Sequence, residues 1–182
     1  MCLMATRASS RSSWPPRASN NSKFSIMKTL LILVGKTTDK HFQAGINDYC
    51  DRIGHYMPFE LITIPELKNT KSLSEDQQKQ AEGELILKQI QTSDTVVLLD
   101  EHGKEFRSIE FAKWLEQKRN TARRLVFVIG GPYGFSQAVY SRANEQLSLS
   151  KMTFSHQMIR LVFTEQIYRA CTIIKGEPYH HE

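Results

Sequence analysis

From Met27 onward, short apolar runs alternate with longer segments whose apolar residues recur every three or four positions. The runs predict buried strands at Thr29–Gly35 (TLLILVG), Phe59–Ile64 (FELITI), Thr95–Asp100 (TVVLLD), Leu125–Ile129 (LVFVI) and Gln146–Leu149 (QLSL). The intervening periodicity predicts helices at Asp39–Tyr56, Asp76–Gln91, Ser108–Arg119 and Ser136–Ala143, with a longer one at His156–Ile174. Strands that alternate with helices favour right-handed crossovers and a parallel sheet covered on both faces, so the expectation is a single α/β domain. Asp39, Asp76, Ser108 and Ser136 each stand where a side-chain oxygen can accept from an early helical amide. The stretch Pro65–Asp76 has no periodicity and several turn formers, and reads as a loop. Its Lys68 and Lys71 are either phosphate contacts or ordinary solvated charges.

Composition changes this picture little, and charge changes it only once it is located. The chain has 182 residues with 40% hydrophobic and 24% charged content, as in a soluble globular domain. No apolar run approaches the roughly 20 residues that cross a bilayer. The net charge of +5 is concentrated in residues 1–26, which hold Arg7, Arg11, Arg17 and Lys23 and no acid. That opening segment is rich in Ser, Arg and Pro, and is expected to be a disordered extension preceding a domain at 27–182. Its composition suits either an organellar transit peptide or a start codon assigned too far upstream, since MKTLLILVGK begins a complete strand pattern at Met27. Three widely spaced cysteines (Cys2, Cys50, Cys171) make no disulfide framework and suit a reducing compartment such as the cytoplasm. The six histidines lack zinc spacing, so no metal is expected.

The chemistry is concentrated after the third strand. Val126–Ser136 (VFVIGGPYGFS) runs a buried strand straight into a glycine-rich turn, and in an open α/β sheet ligands settle beyond the carboxyl ends of the strands. Three loops leave such ends: LDEHGKEF, IGGPYGF and LSKMTFSHQ. The turn lacks the Lys-Ser/Thr ending of a Walker loop and the spacing of G-x-G-x-x-G, and Pro132 removes one amide donor. An adenine or ribose fits it better than a polyphosphate. Leu99, Leu149, Met152 and Phe154 could line such a slot or serve the core alone.

Taken in order, LLDEHGKEF, VFVIGGPYGFS, LSLSKMTFSHQMIRLVFTEQIYRA and the terminal EPYHHE closely resemble the RlmH-type methyltransferases of the SPOUT class, from Met27 to Glu182. The resemblance implies a parallel sheet flanked by helices with a C-terminal trefoil knot. It also implies S-adenosylmethionine as cofactor and methylation of N3 of a pseudouridine in a 23S rRNA stem-loop of the assembled ribosome. The cofactor would be held by Leu99, Gly130, Gly131, Leu149, Ser150, Lys151, Met152, Thr153 and Phe154, with the two glycines letting the main chain approach it. Residues around the target base would be Glu165, Arg169, Tyr179 and His180, and the enzyme would be a homodimer in which one tail completes the other site. Glu165 and Arg169 are four apart on one helical face and could equally form a surface pair worth about 0.3–0.5 kcal/mol. The family commonly ends Tyr-His-Arg, whereas this chain has His181 in the arginine's place, which trades a permanent charge for a titrating one. A SPOUT enzyme acting on another RNA, or a noncatalytic RNA-binding protein of the same fold, would share the same pocket motifs.

Overall fold

A computed structural model of the protein describes residues 27–67 and 72–179. The expectations for residues 1–26, Lys68, Lys71, His180 and His181 lie outside the described residues. Five strands and five helices alternate along the chain: β1 (Lys28–Val34), α1 (Lys40–Gly54), β2 (Phe59–Ile64), α2 (Glu75–Leu87), β3 (Thr95–Glu105), α3 (Ser108–Thr121), β4 (Arg124–Ile129), α4 (Gln137–Arg142), β5 (Glu145–Ser148) and α5 (Met158–Lys175). All strand pairings are parallel, in the order β2-β1-β4-β3-β5.

Period-two alternation divides the core between the two faces of the sheet. Leu31, Leu33, Val97, Phe127 and Ile129 point to one side, where Ile53 of α1, Phe111 and Leu115 of α3, and Phe163 and Ile167 of α5 cover them. Leu30, Ile32, Val96, Leu98, Val126 and Val128 point to the other, against Ile86 of α2 and Val139 of α4. The connections respect one hand. The steps β1 to β2 and β3 to β4 run one way along the sheet through α1 and α3, on the first face, while β2 to β3 and β4 to β5 run the opposite way through α2 and α4, on the second.

The predicted strand starts hold to within a residue, but β3 runs past its predicted end at Asp100 to Glu105. The reason is a second pairing. Leu99 pairs with Leu147 of β5, the register then shifts, and Lys104 pairs with Leu147 again. Between the two pairings the chain crosses the β5 backbone so closely that a Cβ on Gly103 would lie 2.5 Å from both the N and the C of Leu147.

The helix starts are corrected at three of the four positions. Asp39 caps α1 as expected, accepting from the amides of His41 and Phe42. The cap of α2 is Ser74 and not Asp76, because Ser74 and Gln77 form a reciprocal capping box, which leaves Asp76 in the first turn beside Lys79. Ser108 is the first residue of α3, where Glu110 accepts from the amide of Arg107. Ser136 occupies the cap of α4, yet its buried hydroxyl makes no cap bond.

Candidate active site

Strands β1, β4 and β5 end level with one another, and β3 breaks its first pairing with β5 at the same level, after Leu99. Leu33 of β1 pairs with Ile129 of β4, Ile129 with Leu99 of β3, and Leu99 with Leu147 of β5, so one row crosses the sheet and the loops leave just beyond it. The β1 end of this row is closed. Arg160 of α5 is fully buried and donates to the carbonyls of Val34 (2.6 Å) and Gly35 (3.0 Å) and to the Thr37 hydroxyl (3.0 Å), while Gln157 bonds to the Lys36 carbonyl and the Thr38 amide. The remaining ends, of β4, β3 and β5, open into a cleft of about 730 Å³. That size suits a small organic ligand.

The glycine turn forms one wall. Gly131 and Gly134 bridge each other, with the Gly134 amide donating to the Gly131 carbonyl, and Gly134 takes a left-handed φ of 80°. Gly130 and Gly131 have no positive φ, so their requirement is space. A Cβ on Gly130 would meet the Phe135 ring at 3.1 Å, and one on Gly131 would lie 2.5 Å from the Glu82 carboxylate of α2. The glycines thus admit protein packed against the turn, a reason that differs from the expected approach of a ligand. Glu82 is itself buried, with Oε1 accepting from Gln78 and Oε2 without a partner among the described residues.

The opposite wall is the loop between β5 and α5. Serine bonds shape it: Ser148 Oγ donates to the Ser150 carbonyl, and Ser150 and Ser155 hydroxyls accept from the amides of Met152 and Met158. Met152 and Phe154 stay exposed on this wall, at 77% and 40%. Of the residues expected to hold a cofactor, Leu99, Gly130, Gly131, Leu149, Ser150, Met152, Thr153 and Phe154 line the cleft, whereas Lys151 is exposed and does not.

Asp100, His102 and Tyr140 are among the lining residues that were not singled out from sequence. Asp100, at the end of the β3 row, accepts from the Tyr140 hydroxyl (2.5 Å) through one oxygen and from the His102 amide (2.9 Å) through the other, with His102 Nδ1 at 3.1 Å. Although burial opposes its charge, these donors hold its carboxyl below the usual range. Burial and the Asp100 bond both push the Tyr140 phenol upward, so Tyr140 remains the donor. Asp100 and His102 sit in a quoted motif without a pattern that marks them. Tyr140 reads as an ordinary helical residue until α4 is folded over the strand ends.

Glu165, Arg169 and Tyr179, three of the residues expected around the target base, form a second group, and none of these three lines the cleft. Glu165 Oε1 accepts from Nε and Nη2 of Arg169 (3.0 and 2.6 Å) and from the Tyr179 hydroxyl (3.2 Å), and Oε2 accepts from Gln166. The Arg169 guanidinium lies over the Tyr179 ring at 5.1 Å. With side-chain exposures of 16% and 29%, Glu165 and Arg169 are more than a solvated surface pair. The tail reaches them through Gly176, whose left-handed φ of 72° ends α5 in a Schellman motif, with Gly176 and Glu177 amides donating to Ile173 and Thr172. Tyr56, in the turn after α1, then holds Glu177, and Tyr168 packs edge-on against Tyr179 at 4.9 Å. Burial, followed by bonds to Tyr49 and Glu165, raises the Tyr179 phenol above its ordinary value.

Among the described residues, no group of His, Cys, Asp and Glu could hold a metal ion, and no helix is long and apolar enough to cross a membrane. The chain matches a family described as predicted SPOUT methyltransferase over residues 27–180. It is 64% identical to a protein of Bacteroides fragilis (strain YCH46) over 157 residues, covering 86% of this chain and 100% of that one. It is 56% identical to a protein of Cytophaga hutchinsonii over 156 residues (85% and 100%), and 53% identical to one of Flavobacterium johnsoniae over 157 residues (86% and 100%). Each of the three carries the name ribosomal RNA large subunit methyltransferase H.

Proposed function

The chain belongs to the SPOUT methyltransferase family, and from that premise we propose that it uses S-adenosylmethionine to methylate N3 of a pseudouridine in 23S rRNA of the assembled ribosome. The observation that carries the reading is the cleft itself, built at three strand ends from the glycine turn and the β5–α5 loop. Its fit to the donor is chemical. Leu99, Ile129, Leu149, Met152 and Phe154 offer apolar surface for a flat adenine, main-chain groups border the glycine turn, and no Lys or Arg is present among the lining residues to favour a polyphosphate. When bound, that cofactor supplies an electrophilic methyl group on a positively charged sulfur. The crossing of residues 100–103 over β5 supports the knotted connection that the family resemblance implies.

A ring N3 must lose its proton to become a nucleophile, so a base or an anion-favouring arrangement is needed. Glu165 is already committed, since both its oxygens accept hydrogen bonds. Tyr179 is held protonated by its raised pKa and serves as a donor. Glu165 and Arg169 therefore position Tyr179, which leaves the proton to another residue. On this reading His180 takes or steers the proton. Because the Glu165 group and the cleft have no lining residue in common, a second copy of the chain would bring its tail to the cleft in a cytoplasmic homodimer. His180→Ala should slow single-turnover methylation of ribosomes by about 10²-fold with cofactor affinity unchanged. A wild-type rate at saturating ribosome would remove His180 from the chemistry, and unmodified pseudouridine N3 in rRNA treated with the wild-type protein would remove the substrate.

A further inference from the structure

The cleft differs in charge from the chain that forms it. The protein carries a net +5, yet the side chains lining the cleft include the carboxylates of Glu75, Asp100 and Glu101, the imidazoles of His102 and His156, and no Lys or Arg. These carboxylates are not equivalent. Glu75 is exposed and the Glu101 side chain is 54% exposed, so solvent and salt screen them, whereas the Asp100 side chain is only 10% exposed. Asp100 is also fixed in place, between the Tyr140 hydroxyl on α4 and the amide and ring of His102. A fixed, poorly hydrated charge at the end of the β3 row acts on anything the cleft contains.

We infer that Asp100 is a specificity-determining residue that makes the cleft favour the cationic sulfonium donor over the neutral thioether left after methyl transfer. The inference rests on the donor reading above. Both molecules share adenine, ribose and amino-acid groups, so apolar walls and main-chain contacts bind them alike; they differ by a methyl group and one positive charge at sulfur. Asp100 senses that charge. Loss of the charge on transfer removes part of the attraction, which favours exchange of spent cofactor for fresh donor. The same negative lining repels phosphate, so the target base enters the cleft while its backbone stays outside.

Calorimetric titrations with S-adenosylmethionine and S-adenosylhomocysteine, all at one fixed pH, test this. Wild type should favour the sulfonium, and Asp100→Asn should reduce that preference by roughly tenfold, the order expected of one charge pair in a partly screened site. Asp100→Glu should retain most of the preference, which guards against a fold defect in the asparagine variant. Leu149→Ala should weaken both ligands alike. Equal weakening of both by Asp100→Asn, or an unchanged ratio, would overturn the assignment while leaving the donor reading intact. A folded wild type that binds neither ligand would overturn both.

Discussion

Beyond the row Leu33–Ile129–Leu99–Leu147 the chain presents turns, main-chain groups and apolar side chains, whereas at Glu165 three side chains converge on one carboxylate. The cleft is shaped by what glycines leave out. The α5 group is shaped by what polar side chains put in. Backbone geometry suits a ligand recognised by outline, and a hydrogen-bonded network suits the orientation of a few reacting atoms. The two regions should therefore fail differently: damage to the cleft lowers cofactor affinity, and damage to the α5 group lowers rate.

Gly103→Ala gives the largest expected effect, because its Cβ would strike the Leu147 backbone at 2.5 Å and no side-chain movement relieves that. A stability loss beyond about 4 kcal/mol in urea denaturation is expected, with cofactor binding lost; a stable, binding-competent variant would show that the crossing can open. Arg169→Ala comes next. It removes two donors from a Glu165 side chain that is only 16% exposed, and should cut the single-turnover rate by about 10²-fold while calorimetry shows unchanged cofactor affinity. If affinity fell with rate, the separation of the two regions would be wrong.

Gly131→Ala should cost about 1–3 kcal/mol by overpacking against Glu82, with weaker cofactor binding. Glu82→Ala in the same chain should recover much of both, and a double-mutant cycle on melting and binding measures the coupling. The smallest effect is expected from Tyr179→Phe, which keeps the stack on Tyr168 and Arg169 and loses the hydroxyl's bonds to Glu165 and Tyr49. About 1 kcal/mol is expected, read as a severalfold drop in rate with the melting temperature nearly unchanged.

Element order, strand starts and most of the cleft lining were legible in the sequence because they depend on local pattern: VFVI before GGPYG marks a buried strand and its turn whatever lies around it. The parts that depend on distant packing were not. Gly103 reads as a loop glycine until β5 is laid beneath it, and Glu82 reads as a surface helix residue until α2 packs on the glycine turn. Arg160 is the sharpest case, since a charge on a helix is ordinarily solvated, yet here it caps the carbonyls at the end of β1. Its partners come from more than a hundred positions earlier in the chain, beyond the reach of any periodicity.

The place of β4 between β1 and β3 also sets an order in time. Lys28 pairs with Arg124 and Thr95 with Leu125, so the first strand made can gain β2 on one side early, but its other side waits for the fourth. During synthesis a two-stranded ribbon carrying Leu31, Ile32 and Leu33 must persist with an open, apolar edge. Assembly then hinges on one late insertion that joins both halves of the sheet at once, which predicts slow, cooperative folding and a nascent chain that needs shielding until β4 has emerged.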